Sequence, residues 1–130
     1  MKFIKIRMHS DNGLITLTDI LQSIPSNTVP WRIIELERIG SLPSGQGMRD
    51  FEIAIRNMPE GLLIDWGNLV RLAEGVEQVW NGLFIGLGAG FVFERQKILA
   101  QDFEGCEFVI EAFDSYEWTL GFQETSSTAS

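Results

Sequence analysis

The sequence predicts an α+β fold: a single domain with an antiparallel or mixed sheet of about five strands and two or three helices packed on one face. Three observations lead there. Cys106 to Phe113 and Tyr116 to Phe122 each alternate apolar and polar residues around Asp114-Ser115, the pattern of a tight hairpin. Trp66, Leu69, Val70, Leu72, Ala73 and Val76 recur at helical spacing. Strands crowd together near the C-terminal end instead of alternating with helices, which argues against a parallel sheet.

The remaining elements follow in order. Residues 2–8 alternate Lys5 and Arg7 with apolar neighbours and read as a strand. His9 to Gly13 is a turn cluster. Thr16 or Thr18 caps a short helix carrying Leu17, Ile20, Leu21 and Ile24, and Pro25 stops it. Val29 to Ile39 is β-branched and apolar, hence a strand in which Trp31, Ile33 and Glu35 share one side. Gly40 to Gly47 is a glycine-rich loop. Met48 to Met58 fits both periods. Asp50 and Glu52 near its start and Arg56 near its end suit a helix dipole and favour a helix. Pro59-Glu60-Gly61 is a turn, and Leu62 to Ile64 a short apolar run. Asp65 is an N-cap for a helix over 66–78. Asn81-Gly82 reads as a turn before a buried strand, Leu83 to Leu87, which continues through Phe91 to Phe93 after a glycine bend. Arg95 to Asp102 is a loop or short helix, and 124–130 a Ser/Thr-rich tail beyond a domain of residues 1–123.

The 130 residues, 45% hydrophobic, suffice for one real core. No apolar run approaches the roughly 18 residues that span a bilayer. The charged and apolar alternation at the start is unlike a secretory leader, so a cytoplasmic location without membrane association is expected. One cysteine, Cys106, excludes an internal disulfide and a Cys-based metal site. Its acidic neighbours Glu104 and Glu107 make it a poor nucleophile.

Charge is the most informative property. Residues 1–97 hold 10 basic and 11 acidic side chains, whereas 98–130 hold no Lys or Arg and seven carboxylates. Such a field repels nucleic acid and attracts basic partners. A net charge of −8 also serves plain solubility.

Signals for catalysis are sparse. His9 is the only histidine, and its neighbours Ser10 and Asp11 do not converge with it into a triad. Gly86-Leu87-Gly88-Ala89-Gly90 has the wrong glycine spacing for a dinucleotide loop and is followed by a strand pattern. Glu35 with Glu37, and Glu107 with Glu111, share strand faces and offer paired carboxylates, yet calcium-loop spacing is missing. No cofactor and no metal are expected. Trp66 belongs to the helix stripe, while Trp31, Trp80 and Trp118 could anchor a core or an interface.

Two stretches carry a resemblance. Leu63-Ile64-Asp65-Trp66-Gly67-Asn68-Leu69 leads into Glu77-Gln78-Val79-Trp80-Asn81-Gly82-Leu83-Phe84-Ile85-Gly86, and the chain closes with Phe108-Val109-Ile110-Glu111-Ala112-Phe113-Asp114-Ser115-Tyr116-Glu117-Trp118. They resemble bacterial immunity proteins that neutralise toxins. The resemblance implies tight binding of one toxin domain through an acidic face, without a cofactor and without catalysis.

The residues and the resemblance together point to an inhibitor of a basic protein partner, such as a nuclease toxin. The expected partner-binding residues are Glu107, Glu111, Asp114 and Glu117, with Trp118 as anchor. Three alternatives stand beside it: a small-ligand or regulatory domain with an aromatic-lined pocket, an enzyme working with carboxylates such as Glu35 and Asp114, and a homodimer whose acidic end is only solvated.

Overall fold

The computed structural model describes residues 1–11, 13–40 and 48–123. Its backbone is an antiparallel sheet built from β1 (Lys2–Arg7), β4 (Trp31–Gly40), β5 (Leu62–Ile64), β6 (Val76–Leu87), β7 (Cys106–Phe113) and β8 (Glu117–Phe122). The strand order is β1-β8-β7-β6-β4-β5. A separate small ribbon pairs β2 (His9–Ser10) with β3 (Gly13–Leu14). The helices are α1 (Leu17–Gln22), α2 (Met48–Arg56), α3 (Trp66–Glu74) and α4 (Arg95–Leu99). The fold is α+β, as the sequence predicts. The expected loop at 40–47 lies outside the described residues apart from Gly40, which ends β4, and the expected tail at 124–130 lies wholly outside them.

Helix starts follow from local chemistry. Thr16 caps α1 in a capping box: its hydroxyl accepts the Asp19 N–H while Asp19 accepts the Thr16 N–H. Asp65 caps α3 through the Asn68 N–H at 2.8 Å. α3 ends at Gly75, earlier than the expected residue 78, because Val76 and Val79 turn inward as strand residues. Asn81-Gly82 is therefore no turn but the middle of β6. The Asn81 amide donates to Glu37, and its carbonyl accepts the Asp114 N–H. Phe91 to Phe93 forms no strand either, and Phe91 and Phe93 pack against the apolar cluster under α4.

Both sheet faces are used. One carries the main core, where α1 and α3 cover Trp31, Ile33, Leu36, Phe84, Ile110, Ala112, Trp118 and Leu120. On the other, α4 and Phe103 cover a smaller cluster of Ile34, Leu83, Ile85 and Val109. The helices thus do not all lie on one face. Gly86 explains how the centre is filled. It stands opposite Trp31 on one side and Phe108 on the other, and those rings stack at 5.5 Å with planes 10° apart. A Cβ at Gly86 would lie 3.1 Å from Phe108 and 3.3 Å from Trp31. The first glycine of the run 86–90 is thus a packing device.

α2 closes an open edge. β5 pairs only with Trp31–Ile33, so among the described residues the rest of β4 has no strand on its outer side. Glu52 of α2 accepts the Arg38 backbone N–H at 3.0 Å. The buried Arg38 guanidinium lies 5.4 Å from the Phe51 ring centre.

The Trp118 indole is fully buried and donates to the Ile15 carbonyl at 3.0 Å. Trp118→Phe should lower stability by about 1–3 kcal/mol, because the partly buried Ile15 carbonyl loses its partner. Urea unfolding checks this: an unchanged midpoint would show that the bond contributes nothing.

Candidate functional site

Alternation along β7 and β8 decides what the C-terminal quarter shows to solvent. Phe108, Ile110 and Ala112 go to the main core, so Val109, Glu111 and Phe113 go to the opposite face. Trp118, Leu120 and Phe122 likewise leave Glu117, Thr119 and Gly121 there. β1 adds Phe3, Lys5 and Arg7 in register with Gly121, Thr119 and Glu117. α4 covers this face over Ile34, Leu83 and Ile85, but the β7–β8–β1 half holds an open hollow of about 540 Å³.

Three rows of side chains cross that half. Phe3, Gly121 and Val109 form the first, with Phe103 reaching over from the loop after α4. Lys5, Thr119 and Glu111 form the second, which continues through Leu83 to Glu35 on β4. Arg7, Glu117 and Phe113 form the third. The turn after Phe113 is closed by the Tyr116 N–H to the Phe113 carbonyl, with Asp114 and Ser115 at positive φ. Phe113 is 65% exposed and Tyr116 50%, and Arg7 lies over the Tyr116 ring at 4.6 Å.

The sequence-predicted site residues separate into three groups. Glu111, Asp114 and Glu117 come together on the open face and its turn. Glu107 does not join them. Opposite it, Leu87 pairs with Cys106 and Gly86 with Phe108, which makes Glu107 the extra residue of a β-bulge. It lines a different hollow, beside Thr28–Pro30 and Gly88–Phe91. Trp118 must be corrected outright: with no exposed surface it anchors the core and cannot touch a partner. The aromatic residues exposed beside the carboxylates are Phe113 and Tyr116, which sequence reasoning missed. Following the β7 alternation one residue further would have put Phe113 beside Glu111.

Glu35 and Glu37 share a face as expected, but it is not the face of Trp31 and Ile33. Ile34 is a bulge residue, and it turns Glu35 to the Glu111 side. Both glutamates line a smaller hollow of about 230 Å³ with Glu52, Arg56 and Arg95. Cations enter only in part. Lys5 pairs with Glu117 at 3.5 Å, and Arg95 is held by the Met58 and Pro59 carbonyls. Burial raises the Glu111 carboxyl above its ordinary value, and Glu35 adds to the rise against Lys5 and Gln101. Burial also raises Glu35, reinforced by Glu37 and opposed by Arg56.

His9 is exposed on the small ribbon. The buried Cys106 thiol is pushed up to about 11 by burial and Asp102, which makes it unreactive. Among the described residues, no group of three His, Cys, Asp or Glu is placed to hold a metal ion, and no helix is long and apolar enough to cross a membrane. No protein-family model, curated protein or solved structure matches the chain.

The raised carboxyls predict a pH dependence. A group that binds its proton more tightly when folded stabilises the fold below its unfolded pKa, and that stability is lost as pH rises through the folded value. Glu35→Gln and Glu111→Gln should therefore each raise Tm near neutral pH. Solvent screening keeps the gain to about 1–3 °C. The advantage should vanish near about pH 4, where the parent carboxyls are protonated too. Calorimetry across pH checks this, and an unchanged or lower Tm near neutrality would contradict it.

Proposed function

We propose that the chain is a non-catalytic binding protein that inhibits a basic protein partner in the cytoplasm, in the manner of immunity proteins against toxins such as nucleases. One observation carries this reading: Glu111, Glu117 and the exposed Phe113 share an open sheet face, with Asp114 and Tyr116 on the turn beside it. Carboxylates around exposed aromatic rings suit such a role. The charges steer a cationic surface into encounter, and the rings supply contact area at small entropy cost. Glu35 and Glu37 extend the negative field along the same face. Blocking is steric: a partner whose basic active site lies against this face is closed to its substrate.

A second reading has its own support. On the core face, Ile4, Ile6, Ile24, Pro25, Leu120 and Phe122 line an apolar groove of about 480 Å³ between the sheet and the end of α1. A groove of that size and chemistry suits a small apolar ligand. Thermal stabilisation by such compounds, lost in Ile6→Glu, would favour it.

The main reading is tested by capturing the partner from source-cell extract with the intact chain and following association by stopped flow. Glu111→Lys combined with Asp114→Lys should slow association by about tenfold or more at low salt and flatten its salt dependence. Glu107→Lys, on the separate hollow, should have a much smaller effect. An on-rate that ignores the double reversal would refute the assignment.

A further inference from the structure

Within the open face, the two glutamates are not equivalent. Glu117 has its cation, Lys5, at 3.5 Å. Glu111 stands in the same row as Lys5 but forms no ion pair among the described residues, and its one side-chain hydrogen bond is a long 3.4 Å contact from Gln101. It is half-buried on the floor of the hollow.

Aromatic groups flank that floor along the strand. Residues two apart on one strand face are separated by about 7 Å. On one side of Glu111, Phe3 and Phe103 meet with ring centres 6.4 Å apart. The Phe3 ring is held down over Gly121, where a Cβ would come within 2.6 Å of it. On the other side stands Phe113, largely exposed. A half-buried carboxylate that forms no ion pair among the described residues, in a hollow of about 540 Å³ lined by aromatic rings and by Lys5, has a definite ligand preference. An anion would meet Glu111, Glu117 and the nearby Glu35, against one lining cation, Lys5, which is already paired with Glu117. A purely apolar group would complete the desolvation of Glu111 without satisfying it. An organic cation satisfies both the carboxylate and the ring faces.

We propose that this hollow is a receptor for one guanidinium or alkylammonium group, bonded to Glu111 and stacked on Phe113, with the Phe3–Phe103 pair walling the other side of the hollow. The proposal rests on the binding role argued above and names what the partner inserts there. Arginine fits best, because its flat fork both bonds a carboxylate and stacks on rings. The same chemistry could come from a free amine, and the experiment separates the two sources.

The intact chain, labelled with nitrogen-15, is titrated with Nα-acetyl-arginine amide and, in parallel, with the neutral isostere Nα-acetyl-citrulline amide. The arginine probe should give saturable shifts at Gln101, Glu111, Phe113 and Thr119 with a Kd on the order of millimolar. The citrulline probe should bind at least about tenfold more weakly. Glu111→Gln, which keeps the shape and the Gln101 contact, should cost about tenfold, and Phe113→Ala several-fold, while Glu107→Gln changes nothing. Absence of saturable shifts, equal binding of citrulline, or undiminished binding to Glu111→Gln would overturn the proposal. The captured partner gives the other arm. If its association is slowed by Asp114→Lys but not by Glu111→Gln or Phe113→Ala, the cation seat is wrong and the acidic-face reading survives. If the arginine probe binds through Glu111 but no protein partner is captured, the seat stands as a site for a free amine and the inhibitor reading falls.

Discussion

The bond from the Trp118 indole, a ring with no exposed surface, to the partly buried Ile15 carbonyl fixes the orientation of the C-terminal hairpin. Side chains on a strand alternate with period two, so a slip of one residue would send every group to the opposite face. With Trp118 held in the core, Glu117 and Thr119 must face away from it, and pairing with β7 carries Glu111 and Phe113 to the same side. β1 follows β8 in register and brings Lys5 and Phe3 along. The open acidic and aromatic face is the reverse side of a well-packed core, positioned by a tryptophan that never reaches it.

Two bulges refine this arrangement. The one at Ile34 turns Glu35 toward Glu111, and the one at Glu107 removes that residue from the group. An uninterrupted ladder would leave Glu35 on the side of Trp31, where a carboxylate inside the core would cost several kcal/mol. The bulge instead places it at a wet hollow. Burial on this partly covered face, reinforced by neighbouring carboxylates, still raises the Glu35 and Glu111 pKa values and lowers stability near neutral pH. The proposed cation seat would relieve that cost.

Much of this was legible in the sequence, for identifiable reasons. Strong short-range signals held: the Thr16 and Asp65 caps, the alternation of β7 and β8, and the charge placement that favoured a helix at Met48–Arg56. Signals overruled by tertiary context failed. Asn81-Gly82 is a common turn pair, but here Asn81 ties Glu37 to the Asp114 backbone within a continuous strand. A bulge shifts the phase of the alternation, as in the step from Trp31 and Ile33 to Leu36, and a reading that kept one phase put Glu35 and Glu107 on the wrong faces. Trp118 illustrates a further limit. Alternation grouped it with Leu120 but could not say which group faced the core. That depended on Ile15, 103 positions away in the chain.

Hydroxyl-radical footprinting of the intact protein, read by mass spectrometry, tests the alternation on which the account depends. Phe113 and Tyr116 should be oxidised rapidly, while Trp118 and Trp31 stay protected until the protein unfolds. Rapid oxidation of Trp118 with protection of Phe113 would mean that the hairpin faces the other way, and that Glu111 does not lie on an open surface.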